Sequence, residues 1–186
     1  KIIYTKKKKI TTMFNNTLAI VRDFFTEEER NKMVVDFLYN KKKSFPPKSD
    51  IGRTIKNAIK QANKDNDWYF NLDRIEHIKL YHMDSLQPSA FPVSAPVLER
   101  PLNKGYHQKQ RKIVAFSKIN DNVENVYGGD LIIKRLETGI DQNITNNTQA
   151  GDLVIFPAFV PFHILPVQQD ERAIYLQCII QGLSFR

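Results

Sequence analysis

The feature that most narrows what this chain can fold into is a change of hydrophobic period near Trp68. Upstream, apolar residues recur three and four positions apart. Downstream they come in short β-branched and aromatic runs at 68–72, 75–81, 113–116, 131–133, 152–156, 162–167 and 173–180. Turn signals divide the runs at Gly128-Gly129, Thr138-Gly139 and Ala150-Gly151-Asp152, and the polar stretch 168–171 separates the last two. Short strands parted by such turns build sandwiches or barrels. With helical patterns first and strands after, the expected class is α+β, a helix-buttressed β-sandwich or barrel.

Leu18, Ala19, Ile20 and Val21 make residues 16–25 apolar enough for a first strand. Thr26 then stands three residues before Glu29, the hydroxyl and carboxylate of a capping box, and Glu27, Glu28 and Glu29 suit the positive end of a helix dipole. Met33, Val34, Phe37 and Leu38 recur at helical spacing, so an amphipathic helix is expected over 26–39. Residues 41–47 break it. Asp50 is expected to cap a second helix running to about residue 64, with Ile51, Ile55, Ala58, Ile59 and Ala62 on one face. Between 85 and 110, Pro88, Pro92, Pro96 and Pro101 remove backbone donors, which predicts a long loop. Residues 1–12 read as a basic arm and 13–186 as one domain, in keeping with a chain of 186 residues.

Composition excludes several classes. A hydrophobic fraction of 41% and a charged fraction of 26% are those of a globular chain, not of a disordered or collagenous one. The longest apolar stretch, 153–162, is about half of a membrane span and is broken by proline, so no membrane role is expected. The lysine-rich start lacks the apolar core of a secretory signal. Cys178 is the single cysteine, which excludes an internal disulfide and a cysteine-built zinc site and points to a reducing, cytoplasmic setting. A net charge of +8 favours acidic partners such as nucleic acid, but much of it lies in the runs 6–9 and 41–43, which read as tail and loop. No phosphate-cradling glycine motif and no Gly-x-Ser-x-Gly elbow is present, so nucleotide binding and serine-hydrolase chemistry have no support.

The second half carries an ordered set of motifs. Arg111-Lys112 opens the run Ile113-Val114-Ala115-Phe116, and Asn120-Asp121 leads to Tyr127-Gly128-Gly129-Asp130-Leu131. Gly151-Asp152 opens Leu153-Val154-Ile155-Phe156-Pro157. His163-Ile164-Leu165-Pro166-Val167 follows, and Arg172 lies nine residues beyond His163. In order and spacing this set resembles the prolyl 4-hydroxylase-like branch of the Fe(II)/2-oxoglutarate dioxygenases, over about residues 13–185. The resemblance implies a double-stranded β-helix (jelly roll) with two N-terminal helices packed against one sheet. It implies a dioxygenase that uses Fe(II) and 2-oxoglutarate to hydroxylate a protein or peptide side chain. His163 would be the later iron-binding imidazole. Arg172 would hold the carboxylate of the cosubstrate, a task that suits a planar bidentate cation.

The family also needs His-x-Asp or His-x-Glu ahead of the Arg-Lys strand. His82-Met83-Asp84 is the literal match, and residues two apart on a strand share a side. His82, Asp84 and His163 are therefore the candidate iron ligands, since two imidazoles and one carboxylate on a common face suit ferrous iron and leave positions open. Counted from Tyr81, however, the family spacing falls near residues 91–96, where Ser94-Ala95-Pro96 offers no ligand. His107-Gln108-Lys109 puts an ammonium where a carboxylate is required. Two readings stay open. In one, the iron site is complete and 85–110 is a lid or substrate loop. In the other, the scaffold persists as a catalytically silent module with a structural role among partner subunits, for example in a virion. His77 reads as structural and Trp68-Tyr69-Phe70 as core. Cys178 stands where the nucleic-acid repair branch would carry a second arginine.

Overall fold

The computed structural model describes residues 10–13, 17–83, 109–120, 129–134, 138–165, 167 and 173–183. The capping box forms as expected. The Thr26 hydroxyl accepts from the Glu29 N–H at 3.3 Å, the Glu29 carboxylate accepts from the Thr26 N–H at 2.9 Å, and helix α1 spans Glu27–Leu38. Helix α2 spans Asp50–Asp65, but its cap is Ser49, whose hydroxyl accepts from the Gly52 N–H at 3.2 Å; Asp50 is the first helical residue.

Among the described residues, nine strands form two antiparallel sheets. The larger has the order β1-β2-β7-β4-β9-β3, from β1 (Ile10–Met13), β2 (Leu18–Val21), β7 (Leu153–Pro157), β4 (Lys109–Lys118), β9 (Ala173–Leu183) and β3 (Arg74–Met83). The smaller has the order β6-β5-β8, from β6 (Asp141–Asn143), β5 (Leu131–Lys134) and β8 (Phe162–Ile164). With two helices, this is an α+β fold. Among the described residues, no helix is long and apolar enough to cross a membrane.

Two cores explain the strand patterns. The first lies between the helices and one face of the larger sheet and joins Ile55, Ile59 and Ala62 of α2 to Ile78, Leu80, Ile174, Leu176, Cys178 and Ile180. The second lies between the sheets and joins Val114, Phe116, Val154, Phe156, Tyr175 and Ile179 to Leu131, Ile133, Phe162 and Ile164. Strand β9 is thus buried on both faces, which is why it reads as a continuous apolar run rather than an alternation. The outer edge of β3 is covered in part: Phe45 donates to the Ile78 carbonyl and Leu80 donates to the Lys43 carbonyl.

Three expectations need correction. Residues 68–72 form no strand, because Asp67 and Tyr69 adopt φ of 55° and 50° and the Asn63 side chain takes both backbone groups of Phe70, at 3.0 and 3.1 Å. Trp68, Phe70 and Leu72 still pack against the first core, so the period of two is real without a ladder. Strand β4 begins at Lys109, inside the expected loop 85–110, and β1 crosses the expected 12/13 boundary.

Candidate functional site

The inner face of the larger sheet, toward the smaller one, divides into an apolar and a polar half. Under the smaller sheet sit four rings. Phe116 lies 6.1 Å from Phe156, 5.1 Å from Phe162 and 6.4 Å from Tyr175, and Phe156 lies 5.3 Å from Phe162. All four are nearly inaccessible. Tyr175 donates its hydroxyl to the Gly129 carbonyl, and burial raises its phenol well above the ordinary value, opposed by a hydrogen bond with Thr145. Gly129 needs its φ of +68°, and a side chain there would press on Ala173 at 2.9 Å.

Beside this plug, β3, β4 and β9 place polar side chains on the same face. The registers His77↔Ile179, Tyr81↔Tyr175 and Arg111↔Gln181 set their positions, with irregularities between Ile75 and His77 and between Arg111 and Ile113. Arg111 grips Glu76 with two donors, at 2.7 and 2.5 Å; Gln181 donates to the same carboxylate at 3.0 Å; and His77 meets the Gln177 side chain at 3.0 Å. Burial alone would raise the Glu76 carboxyl, but the Arg111 hydrogen bond and charge, with Gln181, outweigh it and hold it below its ordinary value. Burial lowers His77, against the pull of Gln177 and Glu76, and so favours the neutral imidazole. Arg111 is raised by its hydrogen bond to Glu76. Chemically this is a network whose hydrogen bonds run among its own members, which fixes the orientation of each side chain. Gln177 and Gln181, four apart in an apolar strand, were the sequence signal for it; Glu76 had none beyond its neighbour His77.

The expected iron ligands do not meet among the described residues. His82 pairs in register with Ile174, a first-core residue, and its ring lies 6.4 Å from Phe37 of α1, so it faces the helices. His163 pairs with Ile132 and is exposed, while its neighbours Phe162 and Ile164 are buried in the second core, so it faces outward from the smaller sheet. The two imidazoles therefore lie on outer sides of the two sheets with the second core between them. Asp84 and Arg172 lie outside the described residues, as do Ser94, Pro96 and His107. Among the described residues no group of three or more His, Cys, Asp or Glu side chains could hold a metal. Lys109, weighed with His107, pairs with Asp73 at 2.5 Å. Cys178 is buried in the first core, which pushes its thiol up to about 12.

No protein-family model and no curated protein matches the sequence. Solved structures do match the fold. A prolyl-4-hydroxylase from Pseudomonas putida superposes with a TM-score of 0.60 at 12% identity, covering 95% of this chain and 99% of that one. The viral collagen prolyl hydroxylase of Paramecium bursaria Chlorella virus-1 gives a TM-score of 0.63 at 9% identity, with 99% of each chain covered. The fold is that of the prolyl 4-hydroxylases. The viral enzyme in its 2-oxoglutarate complex also matches, with a TM-score of 0.61 at 10% identity, covering 90% of this chain and 97% of that one. Prolyl hydroxylation is thus the kind of chemistry that this architecture carries in its neighbours; at these identities the likeness is one of fold.

Proposed function

We propose that this chain is a catalytically silent member of the prolyl-hydroxylase fold, a double-stranded β-helix that serves as a binding module for a protein or peptide partner in a larger assembly, such as a virus particle. The observation that carries the reading is the pair Phe162 and His163. The inward position on β8 holds a phenyl ring packed against the rings of Phe116 and Phe156, and the imidazole points away from the interior. Ferrous iron needs its imidazoles and carboxylate converging on one point. The described residues do not fit it, because an apolar ring cluster occupies the space between the sheets and His82 lies beyond the larger one. The face of Glu76, His77 and Arg111, held from behind by the buried Gln177 and Gln181, is what this reading assigns to the partner. It offers hydrogen bonds fixed by strand geometry and by one another, which is how polar groups orient a peptide at low ordering cost.

The likeness to prolyl hydroxylases, one of them in a 2-oxoglutarate complex, favours the second reading: an Fe(II)/2-oxoglutarate dioxygenase in which His82, Asp84 and His163 hold iron and Arg172 holds the cosubstrate. One experiment separates the two. Protein reconstituted anaerobically with ferrous iron and 2-oxoglutarate is assayed for bound metal and, after oxygen is admitted, for succinate. The expected result is iron far below one per chain, unchanged by His163→Ala, and no succinate. One iron per chain, lost on His163→Ala, together with succinate formation, would overturn the silent reading.

A further inference from the structure

Helix α2 gives its apolar side to the first core and turns a segregated charge toward solvent. Gly52, Ile55, Ile59 and Ala62 are buried. At 3.6 residues per turn, Arg53, Lys56, Lys60 and Lys64 fall within a sector of about 80° and form a stripe about 16 Å long. Asp50 and Asp65, the acidic residues of the helix, fall outside that sector. Arg53, Lys60 and Lys64 are exposed. Arg53 pairs with Asp50, and Lys56 donates to the Asp73 carbonyl at 3.0 Å. Among the described residues, Lys60 and Lys64 make no hydrogen bond or ion pair.

The flank of α2 that carries Lys56 also holds an aromatic loop. Asn63 lies on that flank, seven residues on. Its carbonyl accepts from the Trp68 and Tyr69 N–H groups at 3.1 and 3.3 Å, and its side chain takes both backbone groups of Phe70. The Lys56 bond to Asp73 fixes the far end of the same loop. Tyr69 is 72% exposed at a φ of 50°, a backbone region that residues other than glycine seldom occupy. Its hydroxyl donates to the Asp67 carboxylate at 2.6 Å, so the ring is held in place while it faces water. Phe159, 54% exposed, stands edge-on to Phe70 with ring centres 6.4 Å apart. Two exposed rings thus lie beside a cationic track, on a loop that the helix itself positions.

We propose that the α2 stripe and the loop beside it bind single-stranded nucleic acid without sequence preference, Lys60 and Lys64 meeting phosphates and Tyr69 and Phe159 stacking on bases. Phosphate contacts supply affinity by releasing counterions, and every base offers a face to an aromatic ring. The net charge of +8 has the sign that such a partner needs. A duplex keeps its bases stacked inside and leaves the rings nothing to meet. A lipid surface is disfavoured, because a helix lying on one needs its apolar face free, and that of α2 is in the core. The stripe is on the helix side of the larger sheet, whereas Glu76, His77 and Arg111 are on the inner face. The inference therefore goes beyond the silent-fold reading and does not rest on it.

The test is fluorescence anisotropy of the full chain with labelled oligothymidylate and oligouridylate of about twelve nucleotides, a length within the span of known single-strand sites. A duplex of the same length and vesicles rich in phosphatidylserine are the competing probes. The expected result is saturable binding of the single strands with Kd on the order of 10–100 µM at about 50 mM salt, and a log–log salt slope of about −1.4 or steeper for two or more phosphates. Lys60→Gln and Lys64→Gln should each make that slope shallower by about 0.7. Tyr69→Asn, which suits a left-handed backbone, should weaken binding at least about fivefold and leave the slope unchanged, because it removes a stacking face and no charge. Phe159→Ala, on a separate loop, serves if Tyr69→Asn loses its native circular dichroism. Lys32→Gln, exposed on α1, should change neither affinity nor slope. No saturation by about 1 mM, equal or tighter binding of the duplex or the vesicles, full affinity without the ring, or a loss with Lys32→Gln as large as with Lys60→Gln would each overturn the proposal.

Discussion

Phe162 and His163 are adjacent, and replacing each by alanine should have opposite consequences. Phe162 is 3% exposed and contacts two rings at 5.1 and 5.3 Å. Phe162→Ala removes a buried phenyl and leaves a cavity in a wall that strands β4, β7 and β8 hold rigid, so the loss is about 3–5 kcal/mol. For a chain of this size roughly 2–4 °C of melting temperature goes with each kcal/mol, which makes the expected fall on the order of 10 °C. His163 projects to solvent between two buried neighbours, and His163→Ala should stay within about 0.5 kcal/mol. Urea unfolding followed by circular dichroism at pH 7.5 measures both. Phe162→His is the third arm: it puts a polar ring into an apolar cluster, should cost at least about 1–3 kcal/mol, and should not raise iron uptake. If His163→Ala loses several kcal/mol while Phe162→Ala loses little, β8 runs with the opposite face inward. The case against a converging iron site then fails with it.

The remaining predictions concern the polar network and the turn at Gly151. Arg111→Met leaves the part-buried Glu76 carboxylate without its bidentate partner and should cost about 1–3 kcal/mol at pH 7; adding Glu76→Gln should recover most of it, and a double-mutant cycle in urea checks the coupling. Because burial lowers the His77 pKa, the unfolded chain binds a proton below about pH 6.5 that the native state resists, so stability should fall as pH drops below that value. His77→Gln should flatten this part of the profile, read as urea midpoints at pH 7.5 and 5.5. Glu76 has the opposite charge type but the same sign of effect: its lowered native pKa gives stability that is present above about pH 4.5 and is lost on further acidification. Gly151→Ala, at φ +91° and with its Cβ 2.6 Å from a backbone oxygen, should lower the melting temperature by several degrees.

Much of the fold was legible because its determinants are local. The capping box at Thr26 and Glu29 involves four consecutive residues, and the helix faces repeat within one turn. Turn glycines such as Gly129, Gly139 and Gly151 do adopt positive φ. What escaped was set by distant or side-chain partners. The 68–72 run has the composition of a strand, yet the Asn63 amide supplies the hydrogen bonds that a neighbouring strand would have given. Strand β6, Asp-Gln-Asn, has no strand propensity of its own and exists because β5 offers it a ladder at Ile132↔Asn143.

The site was less legible, for a reason that lies in the period of a strand. A motif match fixes which residues are near one another along the chain, but a shift of one residue on a strand sends a side chain to the opposite face. His163 stands in a family-like order of motifs, and order alone placed it in the interior. The alternation Phe162, His163, Ile164 already carried the contrary message, since with two apolar residues flanking one imidazole the apolar pair claims the buried face. The same reasoning applies to His82. Ile78 and Leu80 pack toward the helices, and the residue two further on shares their side. Tyr81, one position earlier, is the residue that faces inward. Where apolar alternation and motif order disagree, alternation is the stronger guide, because burying two large side chains is worth several kcal/mol whether or not a metal ever binds.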